Sequence, residues 1–400
     1  METSAAFGSA SAAGRALPAL LEDISARALE ALGPGGPPDL AVLFVTPDFG
    51  QSHADAGPRV LALTKAAHLL GCSGGGVIGA EAEREEGTAA SLLLARLGGA
   101  EITPFRLVQE DLDAEGGPDG LRERVGVPAG ADASFLLLAD PFTIDGEGLL
   151  DGMNAAWEGR PVLGGLASGA SRHGVHALWL DGTVEREGAV GVALRGGSVA
   201  LRPLVSQGCR PIGRRFTVTK AEGPRLFTLA GRPAVEALRE TVEELSAEDQ
   251  ELARTSLHIG RVAHEARTEF HRGDFLIRNL VAMVPDDGSL VVGDHIRAGQ
   301  TVQFQLRDAA TASEDLGALL DLEAAGERPA GGLLFSCGGR GARLFGVPDH
   351  DLGLVKDRLG AFPIAGFFCN GEIGPVGPRN FLHGFTSSLA LFVPRTGAPA

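Results

Sequence analysis

Hydrophobic and polar positions recur along this chain in one order: a continuous apolar run, a helix-spaced segment, then a glycine-rich stretch. Before the first run, Arg15–Leu32 places Leu17, Leu20, Leu21, Ile24, Ala28, Leu29 and Leu32 at helical spacing, and Gly33-Pro34-Gly35-Gly36 stops it. Asp39–Thr46 then reads as a strand buried on both faces. Pro58–Leu70 has the apolar spacing of a helix, and Gly71–Gly79 turns the chain. Gly87–Leu97 and Ala100–Val108 read as two strands of a hairpin about Gly98-Gly99. The order then returns: a strand over Ser134–Asp140, a helix over Gly146–Trp157, and a glycine turn in Val162–Gly169. Leu43 to Gly71 and Leu137 to Gly165 have the same separation, which predicts an internal duplication across Leu40–Val205.

The stretch Gly331–Leu391 is a third, looser copy. A buried strand leads into Ser336-Cys337-Gly338-Gly339-Arg340-Gly341, and a second apolar strand ends in Cys369-Asn370-Gly371-Glu372. Glycine pairs let backbone N–H groups approach a ligand closely, so two such turns at neighbouring strand ends predict one concave site. Between the copies, Arg215–Thr219 and Arg225–Leu229 form a hairpin, and Pro233–Leu245 and Ala312–Ala325 are helices. Leu276–Val284, Ser289–Val292 and Thr301–Leu306 form a meander. The predicted fold is α/β in the mixed α+β sense, with two domains. The first, 1–208, carries copies at about 39–108 and 134–205 with sheets face to face; the second, 214–395, is a mixed-sheet domain.

Composition narrows the function. The net charge of −16 and absence of a basic patch argue against nucleic acid as a partner. No apolar window is long enough for a membrane helix, and Met1–Leu20 lacks the features of a signal peptide. Cys72, Cys209, Cys337 and Cys369 form no C-x-x-C pair and no disulfide framework, which predicts free thiols in a reducing cytoplasm.

The chain resembles the FIST family, a two-part sensory module of bacterial signalling proteins also found in some F-box proteins. The N-terminal part matches in Asp39–Val45, Leu70-Gly71-Cys72-Ser73 and Val162-Leu163-Gly164-Gly165. The C-terminal part matches in Val218–Gly223, Phe335–Arg340, Pro363–Phe367 and Gly371–Gly374, with His383–Leu391 as the closing strand. The resemblance implies a small intracellular ligand of amino-acid type and implies no catalytic set. No kinase, receiver or F-box segment is attached, so a signalling partner would be a separate protein.

The candidate ligand-binding residues are Ser336, Cys337, Gly338, Gly339, Arg340, Cys369, Asn370, Glu372 and His383. Arg340 and backbone amides would hold a carboxylate bidentately, while Glu372 would accept an amino group. The competing role for Arg340 is tying down its loop by pairing with Glu372 or a carbonyl. Gly71–Gly79 is no phosphate loop, because the glycines follow a helix and no lysine stands near. Cys337, Cys369 and His383 raise a cysteine-dependent hydrolase or transferase as the alternative, and a protein-interaction scaffold is the second. Cys72, Cys337, Cys369 and His383 lack the short-spaced pair of a zinc site, and no metal or cofactor is expected. His258, His264 and His271 read as a solvated face or loop, and the acidic run Glu81–Glu86 as a solvated connection.

Overall fold

The computed structural model describes residues 5–14, 16–267 and 269–395; Arg15, the predicted first residue of the opening helix, lies outside them. The fold is mixed α+β, and the chain falls into two compact units. One takes the chain up to Val205, Gly317–Leu382 and the stretch from Thr386 onward; the other takes Ser206–Leu316 and His383–Phe385.

The first unit contains three repeats of one pattern. Each has a leading strand (Leu40–Val45, Ala133–Ala139, Gly331–Cys337) and a helix (Ala56–Thr64, Gly146–Ala156, His350–Leu359). A second strand parallel to the first follows (His68–Ser73, Val162–Leu166, Ile364–Cys369). Next come a hairpin and an antiparallel return strand (Ala89–Arg96, Ala189–Gly196, Thr386–Pro394). The hairpins are not kept at home. Val77–Gly79 with Glu83–Arg84 extends the third repeat's sheet, Leu178–Leu180 with Thr183–Glu185 the first's, and Glu372–Val376 with Arg379–His383 the second's.

Trailing strands move the other way: Ala100–Leu107 joins the second sheet and Val199–Gln207 the third, while Ala6–Ala13 takes the matching edge of the first. The result is three six-stranded sheets of one strand order, closed cyclically by exchanged strands.

Alternation within each strand explains why the strands read as unbroken apolar runs. Leu40, Val42 and Phe44 face a core shared with Leu136 and Leu138 of the second sheet and Leu333 and Phe335 of the third. Ala41, Leu43 and Val45 face the other way, under Ile24 and Val60 of the covering helices. One glycine recurs at the same register in every repeat. A Cβ at Gly71, Gly164 or Gly366 would lie 2.3, 1.8 or 1.9 Å from the carbonyl oxygen of Leu43, Leu137 or Leu334 on the leading strand. Only glycine lets the two strands come so close.

Several sequence expectations change here. The Gly98-Gly99 hairpin does not form: its two strands belong to different sheets, with Ala89–Arg96 on the first and Ala100–Leu107 on the second. The predicted helix Pro58–Leu70 ends at Thr64, and His68–Ser73 is a strand, so the following glycines leave a strand and not a helix. Register equates Gly71 with Gly164, one residue from the alignment that equal spacing predicts.

The second unit is an antiparallel sheet closed on itself, because Thr301–Arg307 pairs with Leu257–Val262 on one side and with Phe216–Thr217 and Cys209–Pro211 on the other. The hairpins Phe216–Glu222 with Arg225–Leu229 and Phe275–Val284 with Ser289–Val292 form as expected, but Thr301–Arg307 does not continue that meander. Ile259, Leu226 and Phe304 fill the interior against helix Ala234–Glu243. His258 is buried, not solvated, and burial followed by the Arg307 charge pushes its pKa down to about 4.

Candidate functional site

Parallel strands present ligands at their C-terminal ends, and the three leading and second strand pairs all end at one place in the first unit. The loops there are stitched across repeats. Ser168 N–H donates to Ser73 O (3.1 Å), Phe368 N–H to Gly76 O (3.0 Å) and Asn370 N–H to Leu166 O (3.1 Å). Gly75 N–H donates to Ser168 Oγ at 2.7 Å, and that hydroxyl in turn donates to Phe368 O. Around these loops lies a cavity of about 340 Å³, with walls that include Gly75, Ser168, Gly338, Cys369 and Asn370 and two pairs of charged side chains: Arg340 with Arg343, and Glu85 with Glu86.

Arg340 is the unusual wall residue. Its side chain is 0% exposed, and Asp351, 2% exposed, takes Nε at 2.6 Å and Nη2 at 2.9 Å. Asp351 sits in the first turn of helix His350–Leu359 and also accepts from Ser336 Oγ at 3.2 Å. Burial alone would push the Asp351 carboxyl up, but the Arg340 guanidinium and His350 hold it well below the usual carboxylate range. The Phe345 ring lies 5.2 Å from the Arg340 guanidinium and stacks on His350. Nη1 is left buried and, among the described residues, has no hydrogen-bond partner. A buried donor without an acceptor costs free energy, which a bound acceptor would recover.

The arginine loop is fixed from the first repeat's exchanged hairpin. Glu85 Oε1 accepts from Ala342 N–H at 2.8 Å, and a Cβ at Gly341 (φ +81°) would strike that carboxylate. Glu83, predicted to be solvated, is buried: its Oε1 accepts from Leu352 N–H at 2.8 Å, and its own N–H donates to Asp349. Burial first, and then the Asp351 charge, raise its pKa from 4.5 to about 8. An unfolded Glu83 ionises above 4.5, whereas the folded one keeps its proton to about 8. Stability from this group is therefore full below 4.5 and falls as pH rises to 8, by up to about 1.4 kcal/mol per pH unit. Glu83→Gln, which copies the protonated form, flattens that slope. Urea midpoints of both proteins between pH 5 and 8 check it, and parallel curves would contradict the assignment.

Of the residues singled out from sequence, Gly338, Arg340, Cys369 and Asn370 line the cavity. Ser336 supports Asp351, and Cys337 Sγ receives Gly339 N–H at 3.5 Å. Glu372 is fully buried, and its Oε2 accepts from Thr386 N–H and Oγ1–H at 3.1 and 2.7 Å. His383 is buried and groups by contact with the second unit. The partner of Arg340 is thus Asp351, neither Glu372 nor a carbonyl. Sequence reading missed Asp351, Arg343, Glu85, Glu86, Ser168 and Gly75. Only the last two carried a signal, each standing in a glycine turn that follows a second strand. Burial above all, with Glu372, Cys72 and Cys337 adding to it, pushes the Cys369 thiol well up, which makes it a poor nucleophile. Among the described residues, no group of three or more His, Cys, Asp or Glu side chains is placed to hold a metal ion. Nor, among them, is any helix long and apolar enough to cross a membrane.

Three interlocked repeats around a small polar cavity describe a class of protein by its build, and comparison with known sequences gives that class a family. Residues 39–232 match the FIST N domain and residues 234–375 the FIST C domain. The chain belongs to the FIST family, whose domains are in general sensory modules of signalling proteins. It is similar to the uncharacterised protein Rv0628c of Mycobacterium tuberculosis, 41% identical over 378 residues that cover 93% of this chain and 95% of that protein. The uncharacterised protein Mb0898c of Mycobacterium bovis is 40% identical over 361 residues, 90% of this chain and 92% of its own length.

Proposed function

We propose that this chain is a cytoplasmic small-ligand sensor that binds an amino-acid-like metabolite in the cavity and signals through a separate partner protein. The observation that carries the reading is the Arg340 Nη1 donor, buried on the cavity wall without an acceptor. The ligand's carboxylate takes that donor, with Ser168 and Asn370 within the same walls. Glu86, exposed among those walls, suits its ammonium group, and the opposed charges of Glu86 and Arg343 disfavour ligands of high net charge. A volume near 340 Å³ stands at the small end of ligand pockets, which matches a metabolite better than a nucleotide.

Thermal shift and calorimetry with the free amino acids, matched carboxylic acids and matched amines test this. A true ligand at a hundred times its Kd adds about 2.7 kcal/mol to the native state. The expected result is a rise of several degrees for one or a few amino acids and none for the amine lacking a carboxylate. Equal shifts for acid and amine, or no shift with any amino acid, would overturn it.

A further inference from the structure

Cys337 and Cys369 end the third repeat's leading and second strands, and they are direct partners in the parallel register. Partnered residues on adjacent strands project to the same face, with backbones about 4.8 Å apart. That separation lies within the roughly 4.4–6.8 Å span of Cα atoms that a disulfide bridges. The backbone holds the pair together, since Gly338 N–H donates to Cys369 O at 3.0 Å directly after Cys337. The two thiols differ in setting. Cys337 is half-buried, takes the Gly339 N–H on its sulfur and sits in the same tight turn as Arg340, at the less buried end of its strand. Cys369 is 3% exposed but lies on the cavity wall, where a small solute reaches it. Cys72 and Cys209 are buried and do not line that cavity.

We propose that Cys337 and Cys369 are a paired oxidation site, which hydrogen peroxide converts into a disulfide across the mouth of the strand pair. The Cys337 sulfur attacks one peroxide oxygen, the O–O bond breaks, and water leaves with the thiol proton, giving a sulfenic acid. Burial keeps the Cys369 thiol protonated and slow toward free peroxide, but it is held as the strand partner of the electrophilic Cys337 sulfur. It bonds to that sulfur, forming the S–S bond and expelling the hydroxyl as water with the second thiol proton. Two thiols and one peroxide become one disulfide and two waters, so electrons and atoms balance. The crosslink ties the turn that carries Arg340 to the strand end that carries Asn370, both on the cavity wall. The chemistry does not depend on which ligand the cavity holds.

The test uses the full-length protein, reduced, freed of reductant and treated with hydrogen peroxide under native conditions. It is then denatured and alkylated with N-ethylmaleimide. The count of alkylated cysteines falls from the four in the sequence to two, intact mass drops by about 2 Da before alkylation, and dithiothreitol restores both. Peptide mapping assigns the bridge to Cys337 and Cys369. Cys337→Ser and Cys369→Ser each abolish the bridge, while Cys209→Ser leaves it. Four alkylated thiols after treatment, a bridge to Cys72, or an uncrosslinked sulfinic acid at Cys337 would each overturn the proposal. Because the main readout is on the unmodified sequence, it survives even if a serine variant fails to fold.

Discussion

Arg340→Met is expected to lower the stability of the protein by about 3–5 kcal/mol, whereas Arg340→Met combined with Asp351→Leu recovers most of that loss. The asymmetry follows from burial. Both partners are nearly inaccessible, so removing the guanidinium strands a carboxylate that cannot be hydrated. Replacing both with apolar groups of similar size removes the desolvation cost together with the attraction. A urea-denaturation double-mutant cycle measures the coupling. A single substitution costing under about 1 kcal/mol would mean that water reaches this pair. Acid should act in the same direction. The Asp351 carboxyl is held below its ordinary value, so its contribution is complete above that value and is lost as pH falls through the folded one. The recovered double variant should still lack the buried donor, and therefore lose the ligand response while keeping the fold. That separates a binding role of Arg340 from its structural one.

Gly366→Ala is expected to destabilise by about 3 kcal/mol or more, through one added methyl group. Its Cβ would stand 1.9 Å from the Leu334 carbonyl oxygen, which belongs to a backbone fixed on both sides by strand pairing. Gly353→Ala, in the helix of the same repeat, meets nothing within 4 Å and should stabilise by up to about 1 kcal/mol through helix propensity. The same chemical change thus has opposite signs at two sites thirteen positions apart in one repeat, a gap readable directly from the numbering. Thermal melts of the two variants decide it, and a neutral Gly366→Ala would show that the strands can part without penalty.

How far the residues alone lead can be followed along the third repeat. Leu333–Phe335 and Phe367–Phe368 announce strands covered on both faces, because nothing polar interrupts them. Gly338-Gly339 announces a tight turn. Arg340 stands out as chemically significant, because a guanidinium beside the amides of a glycine turn suits a carboxylate. Which partner was not legible. Asp351 lies eleven positions on, inside a segment whose spacing describes only a helix. The acidic run beside Arg84 has the pattern of a solvated connection, because acidic residues are rarely buried unpaired. Glu83 is buried only because its hairpin crosses to another repeat's sheet.

Local pattern therefore established the leading strands, most of the helices and the recurrence, since periodicity depends on neighbours two to four residues away. It misread the second strands: His68–Leu70 as the end of a helix and Val162–Leu166 as part of a glycine turn. Which strands lie side by side was decided only on assembly. A strand apolar on both faces offers the same backbone hydrogen bonds to its neighbour in sequence as to a strand of another repeat. The choice between them rests on how the three sheets close around a common core. That closure gathers Gly75, Glu85, Ser168, Arg340 and Asn370 from far apart in the chain onto one wall. Periodicity, which records only short-range order, carries no trace of it.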